Sequence, residues 1–555
     1  MALIHNGEQL EISKDILMDK WIPSVTGDTE PEKPNLCVFQ NSSLALEMLN
    51  KHIKRNSKIV FHTDVDVDGI GTTYIIKKTL NSLGSTNHIL LINKDKEHGI
   101  MKKHVEYFKT RKVDLIIITD SSCNEIETIK SFNCDVLVID HHELLNKELS
   151  GVCNDGEHQF VIVNNTIANS NQERDNLWLR NINNKAFENL EDYKGNSDMS
   201  CGLVVYELLR LYCICFSDKN LLENLMLYQW VGVTLFTDVI DTLNDRNQWY
   251  LNKTVFNNDT EASLKLMLNQ LNKFKVSLDK SFIQYTFAPL INKAIRAGEG
   301  AEALNIIIND PVRIGELHKY DIMQQEAIEK ATTCKHTDVL TGAETRYKIV
   351  FNEPIITLNL DKLDIKPSYS GVIASRLSGD NNKNVLVYIV TPEGLYKGSF
   401  RGRYKNVDYR KYFEEYDSSV YAQGHPNAFG FKVTPEQLKG LINGIESIEP
   451  KTEMKPFLTL GDFSENERGV YHINSLDEFK KQGYLWRIAT GNSKVTSRDE
   501  IVIRVKASDV VLEKVQGKVY IYNVFGLQCK AFSAISGEYF DIYMEHTNML
   551  NFYIR

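Results

Sequence analysis

Carboxylates and imidazoles stand wherever an apolar run of this chain ends: His62-Thr63-Asp64-Val65-Asp66-Val67-Asp68-Gly69, then Asp120, then Asp140-His141-His142, and further on Asp238. Three carboxylates at alternate positions repel one another, so at neutral pH either one keeps its proton or a cation sits among them. Oxygen ligands with an occasional imidazole suit Mg²⁺ or Mn²⁺, and the chain has no Cys-x-x-Cys pair of the kind used by zinc ribbons and iron–sulfur clusters. If a strand extends into the 64–68 loop, alternate residues share one side about 6.5–7 Å apart, and Asp64, Asp66 and Asp68 face a single site. Taken singly, the pieces say less. Asp-x-Asp also fits a solvated turn or an N-cap at Asp68, an isolated Asp such as Asp120 most often turns or caps, and Asp238 simply follows an apolar helix. An EF-hand loop fails because the twelfth position counted from Asp64 is Ile75, where a Glu is needed. The tripeptide at 140–142, directly after Val136–Ile139, points to ligation more strongly than any lone His.

The elements that must position these groups are legible as alternating strands and helices. Short apolar runs at Lys58–Phe61, His88–Ile92, Leu115–Thr119, Val136–Ile139 and Phe160–Val163 read as buried parallel strands. Between the first two, Ile70, Tyr74, Ile75, Lys78 and Leu80 follow a helical period, and Asn81–Ser85 with Gly84 stops that helix. In open parallel sheets ligands bind beyond the carboxyl ends of the strands, so the acidic and imidazole groups are expected on one rim. Cys201–Asp241 reads as buried helix, and Ala301–Cys334 as connecting helix broken at Asp310-Pro311. A second α/β unit follows, with strands near Lys348–Phe351, Ile355–Leu358 and Val385–Val390 and helices over Gly371–Leu377 and Pro435–Ile445. From about Glu449 the texture turns to short β-rich runs, including Ile501–Val505, Lys518–Val524 and Tyr539–Met544, which fit a small OB-type barrel.

Composition sets the outer bounds. The 555 residues, 42% hydrophobic and 25% charged, suit several soluble domains, and no apolar run approaches the roughly 20 residues needed to span a bilayer. Met1–Asn6 has no signal-peptide pattern, and nine scattered cysteines suggest a reducing cytoplasmic setting rather than a disulfide framework. The net charge of −9 argues against a nucleic-acid coat protein, yet between Ser368 and Phe413 the chain is locally basic. Eight cations (Arg376, Lys383, Lys397, Arg401, Arg403, Lys405, Arg410, Lys411) face three acids (Asp380, Glu393, Asp408), an excess of five. Tyr396, Phe400, Tyr404 and Tyr409 are interleaved among them, as on a surface that tracks single-stranded nucleic acid; the bland alternative is a solvated strand face.

Jointly, Asp-x-Asp, the lone Asp, Asp-His-His and the distal Asp, in this order, resemble the DHH phosphoesterase superfamily. The resemblance implies two Mn²⁺ or Mg²⁺ ions held by Asp64, Asp66, Asp68, Asp120, His141 and Asp238, with Asp120 as the bridge. It also implies that His142 contacts the scissile phosphate, with Asp140 orienting its neighbours. His62, four residues before Asp66, matches a form seen in other branches and is a weaker candidate. Further along, Pro289–Arg296 is similar to the segment through which RecJ-like single-strand-specific exonucleases bring an Asn and an Arg to the substrate phosphate, here Asn292 and Arg296. Gly371–Leu377, with Arg376, resembles their Val-Ala-Ser-Arg-Leu helix, and Ser399-Phe400-Arg401 their Ser-x-Arg turn. Gly424-His425-Pro426-Asn427-Ala428-Phe429-Gly430 resembles the phosphate-gripping signature of the DHH-associated domain. The chain departs from the pattern at Leu290, Ser121-Ser122, Gln423 and Asp241-Thr242-Leu243.

The expectation is therefore an α/β protein with a parallel-sheet DHH catalytic domain over 1–300, a helical linker over 301–345, a smaller α/β DHH-associated domain over 346–447, and an OB-like β-barrel over 448–555. By resemblance it is a two-metal exonuclease acting on single-stranded DNA from the 5′ end through a metal-activated water. It would be a cytoplasmic monomer, working with single-strand-binding protein or a helicase and not with membranes. Two rivals share the motifs: a DHH phosphodiesterase of short oligonucleotides or cyclic dinucleotides, and a non-catalytic single-strand-binding replication scaffold.

Overall fold

The computed structural model describes residues 33–445 apart from short segments, together with strands within 2–11, 463–473 and 502–554. The chain divides into two compact units, Glu30–Asp321 and Met1–Thr29 with Ile322–Arg555.

The first unit is built on a six-stranded sheet in the order His88–Ile92, Ile59–Thr63, Leu115–Thr119, Asp135–Asp140, Gln159–Asn164, Val152–Asn154. The first five strands run parallel and the last antiparallel. Every residue of the three strands at 59–63, 115–119 and 135–140 is buried, as expected for β-branched runs covered on both faces. Val60, Ile116, Ile118, Val136, Val138 and Phe160 pack with Phe108 and Phe132 into one face's core. The helices Cys201–Phe216 and Tyr228–Thr237 are largely apolar, and both they and Val67–Ser82 are mostly buried. Tyr74 stacks on Trp230 at 4.6 Å, tying the first of these to the third. Gly71 and Gly202 let the same helices meet, since a Cβ at either would lie 2.7 Å or less from the Thr234 side chain.

At the far end of the sheet from the carboxylate cluster, Asp135 closes a buried polar junction. Its Oδ2 accepts from Lys51 Nζ at 2.6 Å and His52 Nε2 at 2.8 Å, and its Oδ1 from the Gln159 amide at 2.9 Å. Burial alone would raise this carboxyl, but the bonds from His52 and Lys51 outweigh it and hold the group below the usual range. A depressed carboxyl contributes stability above the unfolded value, about 3.9, and loses it as pH falls through the folded one. Asp135→Asn should therefore cost about 3 kcal/mol at pH 7 and much less at acid pH, measured by urea unfolding at both.

The second unit holds a five-stranded sheet in the order Ile355–Asn359, Asn384–Val390, Tyr396–Arg401, Ala428–Val433, Tyr421–His425, with only the first pair parallel. The helices Ser370–Asn381, Tyr409–Tyr416 and Pro435–Ile445 accompany it. The strand expected at Lys348–Phe351 lies outside the described residues. Two of the four aromatics read as a stacking surface are core instead. Phe400 and Tyr409 are fully buried and pack with Phe413 and Phe429, because strand alternation turns Phe400 inward and Tyr409 opens a helix that covers that face. Tyr396 stacks on Tyr388 at 4.6 Å, and Tyr404 with Lys405 lies outside the described residues. Ser399-Phe400-Arg401, read as a turn, is strand.

The C-terminal β runs join a largely antiparallel sheet, ten-stranded among the described residues, that also takes in the hairpin of Ala2–His5 and Glu8–Glu11. Leu3 pairs with Ile503, a partnership across the whole chain that no local pattern announces. Helices Gly300–Asn309 and Lys319–Thr333, joined by a 3₁₀ segment at Pro311–His318, connect the units, with the division after Asp321. No described helix is long and apolar enough to cross a membrane.

Candidate metal centre

The parallel ladder itself brings the acidic residues side by side. The strand at 59–63 ends at Thr63, and the register continues one step as the Asp64 amide donates to Thr119 O and the Asp120 amide to Ile139 O. Asp64, Asp120 and Asp140 thus stand at the carboxyl ends of three adjacent strands. Asp66 and Asp68 reach the site by another route than strand alternation. Asp66, in extended backbone, is the N-cap of the Val67–Ser82 helix and accepts from the Gly69 amide at 2.9 Å, while Asp68 lies in its first turn. A dense turn is required here: a Cβ on Gly69 would sit 2.6 Å from both Asp64 O and Thr63 Oγ1.

Asp120 has φ of 61° and Ser122 of 73°, left-handed conformations that a non-glycine side chain adopts at a cost. The Ser122 hydroxyl compensates by accepting from the Ile100 amide at 2.8 Å. Ser122 occupies the neighbourhood where the resembling family commonly has Gly, and the backbone keeps the glycine-like conformation without it.

Three sets of donor atoms lie within 4.8 Å of one another: Asp64 with Asp66 and Asp120, Asp68 with His141 and Asp238, and Asp120 with His141 and His142. His141 Nε2 is 3.2 Å from Asp120 Oδ1 and 3.9 Å from Asp68 Oδ2, while its Nδ1 is 3.0 Å from Met199 O and 3.4 Å from Asp238 Oδ2. Asp120 and His141 each belong to two sets, and of the two Asp120, with two carboxylate oxygens, has the donor atoms a bridging group requires, since His141 commits Nδ1 to the Met199 carbonyl. Asp68 is more constrained than its neighbours. Its Oδ2 accepts from the Cys201 amide at 2.8 Å and its Oδ1 from the Gly202 amide at 3.0 Å and Thr72 Oγ1 at 3.2 Å.

The electrostatics fit a cation. Burial, then the charge of Asp64, raises Asp66; burial, against His141 and with Asp238, pushes Asp68 up to about 7. Burial together with Asp66 and Asp68 drives Asp120 well above the ordinary carboxylate range. Asp120 Oδ2 is buried, and among the described residues no hydrogen-bond donor reaches it. A buried acceptor among repelling carboxylates is what a divalent ion would satisfy, and an all-oxygen set with one imidazole suits Mn²⁺ or Mg²⁺.

Asp140 does different work. Fully buried, its Oδ1 accepts from His142 Nδ1 at 2.7 Å and from the amides of His141 at 2.8 Å and His142 at 3.2 Å; its Oδ2 accepts from the Cys123 amide at 3.1 Å. Burial would raise it, but the His142 bond and charge hold it below the usual range. Reciprocally, burial works against the charged form of His142, yet Asp140 pushes that imidazole up to about 9. The His142 side chain is 55% exposed against 12% for His141, so it is the imidazole of the pair that an incoming molecule can meet. His62 is fully buried, with its ring 5.0 Å from that of His104. Burial and His104 push it down to about 3, and it belongs to none of the three donor sets.

Of the remaining expected residues, Asn292 and Arg296 are half-buried on the Ala288–Arg296 helix. The chain then turns into the Gly300 helix, where a Cβ on Gly300 would meet Val65 at 2.5 Å and Ile295 at 3.7 Å, so this segment packs against the 64–68 turn. The others lie in the second unit. Ser399 Oγ is 2.9 Å from Ser370 Oγ, Arg401 Nε donates to Ser375 Oγ at 2.9 Å, and Arg376 pairs with Asp380 at 2.9 Å. Arg401, Ala428 and His425 stand in register across three strands, and Gly424, with φ of 133°, accepts at its carbonyl from Arg410 Nη1. The groups that sequence could not point to are backbone ones, the Met199 carbonyl and the Cys201, Gly202 and Cys123 amides, since a peptide group carries no residue identity.

Residues 58–160 match the model of the DHH family, N-terminal domain. The SPbeta prophage-derived protein YorK of Bacillus subtilis, predicted to be a single-strand DNA-specific exonuclease, is 24% identical over 437 residues, 72% of this chain and 67% of the relative. The single-stranded-DNA-specific exonuclease RecJ of Escherichia coli is 22% identical over 430 residues, 71% of this chain and 67% of its own length. In fold, the chain is similar to crystalline RecJ from Thermus thermophilus in complex with Mn²⁺, with a TM-score of 0.57 at 16% identity over 95% of this chain and 72% of that one. Residues 58–160 are thus similar to the N-terminal domain of the DHH family, and most of the chain is similar to RecJ-like exonucleases in sequence and in fold.

Proposed function

We propose that this chain is a divalent-cation-dependent nuclease that hydrolyses phosphodiester bonds of single-stranded DNA, exonucleolytically and from the 5′ end. The observation that carries the proposal is the meeting of Asp64, Asp66, Asp68, Asp120, His141 and Asp238 in donor sets that share Asp120 and His141. The names of the relatives support single-stranded DNA as substrate.

Asp64, Asp66 and Asp120 would hold one Mn²⁺ or Mg²⁺, and Asp68, His141 and Asp238 with Asp120 a second. Such a pair supplies activation of water and neutralises charge on the attacking and leaving oxygens of an in-line displacement. No protein nucleophile is required in such a displacement. His142, cationic and oriented by Asp140, donates to a non-bridging phosphoryl oxygen as charge builds there. Arg296 and Asn292 face the same phosphate, and in the second unit Arg401, Ser399, Gly424 and His425 grip phosphates along the strand. Arg376 is exposed and paired only at the surface with Asp380, a weak pairing that a phosphate can displace. The seven described free cysteines suit a reducing cytoplasm, where the protein would act as a monomer alongside single-strand-binding protein or a helicase.

The test is digestion of 5′- and 3′-labelled single strands, duplexes and dinucleotides with Mn²⁺. Release of mononucleotides from the 5′ end of the single strand, slowing steeply with added salt, is the expected result. Cleavage of dinucleotides alone, or strand binding without cleavage under either cation, refutes the proposal.

A further inference from the structure

Two of the cation-facing side chains are held by one short strap of backbone, described at Asn196 and over 198–202. The Met199 carbonyl accepts from His141 Nδ1 at 3.0 Å, and two and three residues on, the Cys201 and Gly202 amides donate to the two oxygens of Asp68 at 2.8 and 3.0 Å. The strap is pinned from both sides by buried asparagines. Asn165, just past the Gln159–Asn164 strand, pairs reciprocally with Asn196: its Nδ2 donates to Asn196 O, and the Asn196 amide donates back to Asn165 O at 2.7 Å. Within the strap the Asp198 amide donates to Asn196 Oδ1 at 2.8 Å. From the opposite side Asn247, fully buried on the Asp245–Lys253 helix, donates Nδ2 to Asp198 O at 2.7 Å.

Asp198 O belongs to the peptide that leads into Met199, so holding it fixes the plane on the N-terminal side of Met199 and leaves only the φ and ψ of Met199 between that plane and the carbonyl that meets His141. That carbonyl takes the Nδ1 proton of His141 and so selects the tautomer whose Nε2 lone pair points at Asp120 and Asp68, 3.2 and 3.9 Å away. We propose that Asn247 is a positioning residue of the metal centre, setting the tautomer and aim of His141 through the Asp198–Met199 peptide. The inference rests on the metal-centre reading above. Asn247 lies outside every motif that suggests chemistry, nine residues beyond Asp238, and its side chain holds a carbonyl rather than a cation.

Calorimetric titration of the whole chain with Mn²⁺ decides the matter, using Asn247→Ala, Asn165→Ala, which releases the strap two residues upstream at Asn196, and Tyr250→Phe. Tyr250 shares the helix of Asn247, and Tyr250→Phe, which loses the 2.6 Å bond to buried Glu207 on the Cys201–Phe216 helix, serves as the merely structural control. Asn247→Ala and Asn165→Ala are expected to raise the Mn²⁺ dissociation constant roughly 10–100-fold, with cleavage restored towards the parent rate at saturating Mn²⁺. Tyr250→Phe is expected to lower the melting temperature and leave the constant unchanged. Parent-like affinity in Asn247→Ala, or an equal loss in Tyr250→Phe, overturns the inference. Should Asn247→Ala fail to fold, parent-like affinity in Asn165→Ala overturns it instead. Absence of Mn²⁺ uptake by the parent would overturn the metal centre itself, a separate result.

Discussion

Asp120→Asn should abolish tight Mn²⁺ binding and slow phosphodiester cleavage by about 10³-fold or more, while making the cation-free protein more stable. The loss follows from the place of Asp120 in two donor sets; several kcal/mol of charge stabilisation depend on the cations, and each 1.36 kcal/mol is about tenfold in rate. The gain follows from the electrostatics of the empty cluster. Burial and mutual repulsion raise Asp66, Asp68 and Asp120, so the native protein keeps protons that the unfolded chain gives up. For raised carboxyls, that contribution is fully present below the unfolded value of about 3.9 and is lost as pH rises through the folded one, about 7 for Asp68. Cation-free wild type should therefore lose melting temperature between pH 5 and 8, and Asp120→Asn should lose less. Asn tolerates the left-handed backbone at this position nearly as well as Asp does, so the exchange adds no strain. Mn²⁺ should stabilise wild type increasingly as pH rises and leave the variant unmoved. Melting scans with and without Mn²⁺ across this range test both signs.

His142→Ala is expected to lower kcat by about 10²–10³-fold and to change Mn²⁺ affinity little. His142 Nδ1 is taken by Asp140, its ring is the exposed one of the pair, and Asp140 keeps it cationic at neutral pH. In the cation-free protein it is pushed up to about 9; bound cations repel its proton and lower that value, so activity should fall on the alkaline side as pH rises towards 9. Asp140→Asn removes the group that holds the proton and should move that alkaline limb to lower pH. The outcome also separates two roles, because His142 lies within one donor set with Asp120 and His141. Loss of Mn²⁺ binding in His142→Ala would make it a ligand; retained binding with lost turnover makes it the group that meets phosphate.

The parallel sheet was legible in sequence because its strands are short β-branched runs, each closed by a polar residue. Expected and observed boundaries differ by two residues at most, as for Lys58–Phe61 against Ile59–Thr63. Convergence of the acidic rim followed from that topology. The route taken by Asp66 and Asp68 did not, since alternation along a strand and the first turn of a helix bring the same carboxylates together and sequence alone does not choose between them. The basic, aromatic stretch at 383–411 misled for a related reason. Its aromatics alternate with polar residues, and the inward set, Phe400 with Tyr409 behind it, went to the core while the described cations of the stretch are exposed or half-buried. Pairing of the N-terminal hairpin with strands near residue 503 depends on contacts between distant segments, for which local periodicity carries no signal. The strap over 198–202 stayed hidden because its ligands to His141 and Asp68 are peptide groups.

The most direct test is anomalous diffraction at the manganese edge from crystals grown or soaked with Mn²⁺. The account predicts two peaks, one among Asp64, Asp66 and Asp120 and one among Asp68, His141 and Asp238, each lost in Asp120→Asn. Manganese bound elsewhere, or no peak beside Asp120, would contradict it.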